Sequence, residues 1–147
     1  MKKTITCLLI AMLMLFTVSM TTGLAEKSVQ SETWLNGTQW TCDDMAMKIS
    51  PKDGAYRVHV LLANHSSCTY SWTYDCSYDD STCILTSTKG RMAIVNTFDG
   101  RLANVRRLYD DGKATFTWSE NGTVEWKDFK TNPVSHRVFL LTGSSGN

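Results

Sequence analysis

Four cysteines, Cys42, Cys68, Cys76 and Cys83, are the residues of this chain with the plainest chemical potential. Thiols in such a group either ligate a metal or close disulfides. No Cys-x-x-Cys pair occurs among them, which argues against a structural zinc site. An even number of cysteines in a small exported domain reads instead as two disulfides. Three pairings are open. The turn-like Asp79-Asp80-Ser81-Thr82 between Cys76 and Cys83 favours joining those two, which leaves Cys42 for Cys68. A short bridge of that kind stabilises by about 2–3 kcal/mol in the chain-entropy account.

Other reactive types are thinly spread. Asp75, Ser77 and Asp79 begin like a calcium loop, but Asp80 stands where such a loop needs glycine and Thr86 where it needs glutamate. The cluster reads as a solvated acidic turn. His59, His65 and His136 lie too far apart in sequence to make a local metal pair. No nucleophile elbow and no defensible Ser/His/Asp order occurs. No catalytic residue, metal or cofactor is therefore assigned. An enzyme would have to gather groups from separate elements, with His59 and the Asp75–Asp80 cluster as candidates. Asn36, Asn64 and Asn121 fit the glycan acceptor pattern, two of them as Asn-Gly pairs, and read as turns. Lys89, Arg91, Arg101, Arg106 and Arg107 form a basic stretch holding only Asp99. It reads as a mixed-charge solvated face, with an anion-binding patch as the alternative.

The setting for this chemistry comes from the first 25 residues. Met1-Lys2-Lys3 is a basic start, Leu8 to Val18 is an apolar run, and Gly23-Leu24-Ala25 places small residues at a cleavage point. That is the pattern of a secretory signal, and it removes Cys7 with it. The run is too short to be read first as a membrane anchor. The expected organisation is a signal peptide over 1–25, a flexible segment over 26–33 and a single domain over 34–147, secreted or periplasmic. Without Lys2 and Lys3 the cations number one fewer than the 14 acidic residues. This balance does not suit a nucleic-acid partner, and the mature chain has no expected membrane span.

The elements that must position any site read as strands. Tyr56, Val58, Val60 and Leu62 alternate with Arg57 and His59. Tyr70, Trp72, Tyr74, Cys76 and Tyr78 alternate with Thr, Ser and Asp. Phe116 and Trp118, Val124 and Trp126, and Val138 and Leu140 follow the same period. Asp53-Gly54, Asp99-Gly100, Asp111-Gly112 and Asn121-Gly122, with Lys89-Gly90 as a weaker fifth, punctuate the runs as hairpin turns. The prediction is an all-β antiparallel meander of about eight or nine strands, over 38–49, 55–64, 68–78, 82–88, 91–98, 101–109, 113–119, 122–130 and 136–142. A closed or nearly closed barrel removes its exposed edges.

Leu35-Asn36-Gly37-Thr38-Gln39-Trp40 resembles the Gly-then-Trp opening of lipocalin-like (calycin) barrels, with one extra residue that a bulge can absorb. The resemblance implies that Trp40 plugs one end of the barrel and that Arg137, in the last strand, packs across it.

On that footing the expected function is reversible binding of a small apolar or amphipathic ligand by inward side chains, with Tyr56, Val58, Trp72, Phe116, Trp118 and Trp126 as the lining. The alternative is an extracytoplasmic protein-interaction module, an inhibitor or adaptor, whose interior is filled. A cavity of a few hundred Å³ separates the two. The row Tyr70, Trp72, Tyr74, Tyr78 reads as core, because the opposite face is wet; turned outward it would be a platform for sugars.

Overall fold

The computed structural model describes residues 33–130 and 136–144. The signal over 1–25, Cys7 and nearly all of 26–33 lie outside the described residues. From Trp34 onward the chain forms one compact unit. It contains β1 (Thr38–Cys42), β2 (Met45–Lys52), β3 (Ala55–His65), β4 (Cys68–Asp79), β5 (Ile84–Phe98), β6 (Arg101–Ser119), β7 (Thr123–Asp128) and β8 (His136–Ser144). Each pairs antiparallel with the next, and β8 returns to β1, so the order closes on itself. The all-β meander expected from the alternation is the observed architecture.

Period two decides what faces inward. Met45, Met47 and Ile49 on β2, Val58, Val60 and Leu62 on β3, Trp72, Tyr74 and Cys76 on β4, Phe116 on β6, Val124 and Trp126 on β7 and Phe139 on β8 are all buried. The residues between them on β2, β3 and the second half of β4 are charged, polar or exposed. A short helical turn at 33–35 precedes β1, and its Trp34 and Leu35 are buried with the same core.

Three strand boundaries differ from expectation, for two physical reasons. The segment 38–49 is not a single strand but the β1–β2 hairpin, turning at Asp43-Asp44 with Asp43 at φ 51°. Aspartate tolerates this conformation, so no glycine marks the turn. Conversely, Asp111-Gly112 and Lys89-Gly90 are not turns. Gly90 and Gly112 face each other inside the β5–β6 ladder. A Cβ on Gly90 would overlap the Tyr74 ring, and one on Gly112 would come within 2.5 Å of Tyr109 Cε2. These glycines admit the two rings against the backbone where the sheet bends, instead of supplying a positive φ. The segments 82–88 and 91–98 accordingly fuse into β5, and 101–109 and 113–119 into β6.

That fusion creates an asymmetry. β6 pairs with β7 only from Ala114 to Ser119. Its first half pairs with β5 alone, so among the described residues no strand covers its other edge from Arg101 to Tyr109. This open-edged end of the β5–β6 hairpin, the arm, has Phe98 and Arg101 at its turn, and its β5 strand stays paired with β4 as far as Asn96.

Candidate functional site

Trp72 and Trp126 meet edge to face with centroids 5.4 Å apart; Tyr74 meets Phe116 at 5.4 Å and Trp126 at 6.4 Å; Phe139 lies 6.4 Å from Trp126. Of the six side chains expected to line a ligand space, Val58, Trp72, Phe116 and Trp126 have 0% exposure. Zero exposure means that no void large enough for water touches them. Tyr56 and Trp118 are half-buried nearer one end, where Tyr56 packs on Tyr78 and Trp118 stacks on Trp34. An eight-stranded ring is just wide enough for large side chains to fill, and four tryptophans, two phenylalanines and Tyr74 fill this one.

Among the rings sits one carboxylate. Asp128, at the end of β7, is 5% exposed. Its Oδ2 accepts hydrogen bonds from the Tyr74 hydroxyl at 3.0 Å and from the Tyr109 hydroxyl, while Oδ1 accepts the Lys130 backbone N–H at 2.9 Å. Burial, and then the Asp128 charge, push both phenols upward, so they stay protonated donors. The Lys130 ammonium lies 5.9 Å from the Tyr109 ring centre and 2.8 Å from Asp111. The cluster ties β4, β6 and β7 together from inside. Its signal was present in the sequence, because Asp128 has the same parity as Val124 and Trp126 and is thus an acid on an apolar face.

The cysteines do not pair. All four are free thiols, and neither Cys76–Cys83 nor Cys42–Cys68 forms. Cys83 stands one residue before Ile84, which faces Asp79. It is thus level with Asp80, four residues along β4 from Cys76, or about 13 Å at strand rise. Cys42 and Cys68 belong to strands three steps apart around the ring, roughly 14 Å at normal spacing. Both separations exceed the span of a disulfide, about 7 Å between Cα atoms. Cys76 points into the core, where burial pushes its thiol up to about 12.

Trp40 is 1% exposed, and its indole Nε1–H donates to Thr38 Oγ1 at 2.9 Å. The bulge that the extra residue requires falls between Gln39 and Trp40, where β1 meets β8. Arg137 is exposed and donates to its neighbour's carbonyl, that of His136, at 2.8 Å. The one cation–ring contact among the described residues is Lys130 over Tyr109.

The scattered enzyme candidates stay scattered. His59 bonds Ser71 Oγ at 2.8 Å on the outer face, and burial, with Arg57 nearby, lowers its pKa. Asp75 is held by Arg57 and Lys52 at 2.8 and 3.1 Å. Asp79 accepts from the Ser81 backbone N–H and hydroxyl, an Asx turn. His136 meets Glu125 at 2.8 Å. His65 is exposed at the end of β3.

Phe98 is the most exposed apolar side chain at 79%, and Leu102, Val105 and Leu108 are open beside it on the arm; a second open set, Phe129 with Val138, Leu140 and Leu141 of β8, lies elsewhere on the sheet, and Leu61 is open on β3. Beside the arm's set runs a shallow groove lined by Cys68, Ile94, Asn96, Asn104, Val105 and Arg106, with Asn96 donating to Asn104 at 2.9 Å. No family model, no curated protein and no solved structure matches the chain.

Proposed function

We propose that the protein is an extracytoplasmic protein-interaction module: a barrel with a filled interior that holds the β5–β6 arm out to a partner protein. The observation that carries this reading is the contrast between its two candidate surfaces. The interior rings have no exposure, whereas Phe98, Leu102, Val105 and Leu108 stand open on one hairpin whose β6 edge has no strand partner among the described residues. Apolar anchors interleaved with Arg101 and Arg106 match the composition of protein interfaces. The partner should offer apolar side chains bordered by carboxylates. The buried Trp40 and the bulge beside it support a lipocalin-like architecture whose ligand space is occupied by its own side chains. The basic and apolar pattern of 1–25 supports export.

The test combines two measurements on the mature chain. Native mass spectrometry should show no small molecule at stoichiometric occupancy. A photo-crosslinking residue at Leu102 should form one dominant protein adduct in the producing cells, lost when Val105→Asp is added and not formed from position Lys48 on β2, across the closed strand order from β6. A small molecule retained within the barrel would return the ligand-carrier reading, and indiscriminate adducts from both positions would remove the arm from it.

A further inference from the structure

The basic stretch of the sequence does not end on one surface. Arg106 faces the apolar groove of the arm, but Lys89, Arg91 and Arg107 meet on the outward face, where they line a second groove of about 290 Å³ with Thr73, Asp75 and Asp110. The register brings them together. Thr73 stands directly opposite Arg91, and Arg107 stands opposite Ala93, two residues along β5 on the same face. Lys52 and Arg57, on β2 and β3, bind Asp75 from the other side.

The charges here do not cancel. Five cations, Lys52, Arg57, Lys89, Arg91 and Arg107, surround two carboxylates. Arg57 and Lys52 already occupy Asp75 and hold its carboxyl below its usual value. Asp110 reaches Arg107 only at 3.7 Å, with both side chains well exposed. Lys89 and Arg91 have no carboxylate partner among the described residues. Two guanidinium forks, an ammonium and a hydroxyl thus converge on one concave spot.

We infer that this groove binds a phosphate-class oxyanion, with Arg91 and Arg107 as planar donors, Lys89 as a point charge and the Thr73 hydroxyl as a further donor. Guanidinium groups match the tetrahedral oxyanion in paired hydrogen bonds, and lysine adds charge without fixed geometry. Thr73, Arg91 and Arg107 offer no ring for base stacking, so the geometry suits an isolated anionic group better than a nucleic-acid strand. Asp110 is an internal competitor, because its carboxylate approaches the same Arg107. The inference does not depend on the arm's partner.

The mature chain is titrated with sodium phosphate, against sodium chloride at matched ionic strength, by calorimetry and amide chemical shifts. Phosphate should give saturable shifts around Thr73 and Arg91. Arg91→Gln should weaken binding about tenfold or more, and Arg101→Gln at the arm's tip should leave it unchanged. Asp110→Asn should tighten it severalfold, an effect that misfolding does not imitate. Equal responses to phosphate and chloride, or unaltered binding by Arg91→Gln, overturn the site. Vesicles of phosphatidylglycerol identify the source. Binding to them that free phosphate displaces assigns a lipid headgroup, and free phosphate binding alone assigns a soluble one. Vesicle binding that phosphate does not displace overturns the groove in favour of diffuse attraction.

Discussion

The Tyr74 hydroxyl reaches across the barrel interior to Asp128 Oδ2 at 3.0 Å, joining residues 54 positions apart in the chain. The bond links the middle of β4 to the last residue of β7, and Tyr109 of β6 donates to the same oxygen. A carboxylate 5% exposed is tolerated because three donors replace its water. Asp128→Ala should therefore cost about 3–5 kcal/mol, since it leaves two buried hydroxyls and the Lys130 N–H without their acceptor. Tyr74→Phe should cost about 1.5–3 kcal/mol, the value of one hydrogen bond to a charged group. Urea denaturation midpoints measure both, and an Asp128→Ala cost below that of Tyr74→Phe would show that the carboxylate does not organise the cluster.

The same tyrosine sets the requirement at Gly90. Its ring lies where a Cβ would be, and the Asp128 bond prevents it from swinging away. Gly90→Ala is expected to destabilise by about 1–3 kcal/mol through overpacking. In a Tyr74→Leu background the penalty should shrink, which a double-mutant cycle reads directly. An equal penalty in both backgrounds would place its origin in the backbone.

Glycine also shows where the sequence was legible and where it was not. Alternation identified the inward rows, because burial on one side of a strand leaves a period of two; Val58, Val60, Trp72, Tyr74, Phe116, Val124 and Trp126 were all placed on consistent faces. Asp-Gly pairs marked Asp53-Gly54 and Asp99-Gly100 as turns, and in both pairs each residue has positive φ. Asp111-Gly112 carries the same letters, but its glycine makes room for a ring from elsewhere, which no local pattern records. The pairing of Arg91 with Thr73, and the filling of the interior, depend on strand register and on ring packing across the barrel. Both are long-range, and they are why the basic stretch divided between two faces and why the thiols proved too distant to bridge.

The thiols offer a chemical test of that distance. In the native protein Cys42 and Cys68, half-buried, should react with Ellman's reagent, while Cys76 and Cys83 stay protected until urea unfolds the chain. The mass of a chain beginning at Glu26 should match four free thiols. A mass lower by two hydrogens per bridge would show that strands β1 and β4, or the β4–β5 turn, rearrange to bring sulfurs together.

Alkaline pH should act through the Cys76 thiol. Its pKa stands near 9 when exposed and is pushed up to about 12 by burial in the fold, with the Asp75 charge as a smaller cause. Above pH 9 the unfolded chain loses this proton and the folded chain keeps it, so stability falls as pH rises. The contribution is intact below pH 9 and declines by up to about 4 kcal/mol by pH 12. Tyr74 and Tyr109, also raised, add the same sign at higher pH, which makes pH 9 to 10 the informative window. Cys76→Ala should flatten the slope of unfolding free energy there, whatever its effect on the absolute value. An unchanged slope would assign the alkaline loss to other groups.

Trp40 tests how the ring is sealed. Its indole is 1% exposed at the start of β1, beside the bulge where β1 meets β8, and its N–H is satisfied by Thr38 Oγ1, which in turn donates to the Trp34 carbonyl. The residue thus fastens the preceding helical turn to the seam that closes the sheet. Trp40→Ala should cost about 3–5 kcal/mol by removing a fully buried ring. Trp40→Phe keeps much of the volume but removes the N–H that Thr38 Oγ1 accepts, and should cost about 1–3 kcal/mol. Hydrogen exchange adds a spatial readout: if Trp40 seals the seam, protection should fall first at the β1–β8 pairs Trp40–Leu141 and Thr41–Leu140, while β3–β4 stays protected. Uniform loss across all strands would make Trp40 an ordinary core residue, and a cost near zero would remove the plug on which the proposed lipocalin-like reading rests.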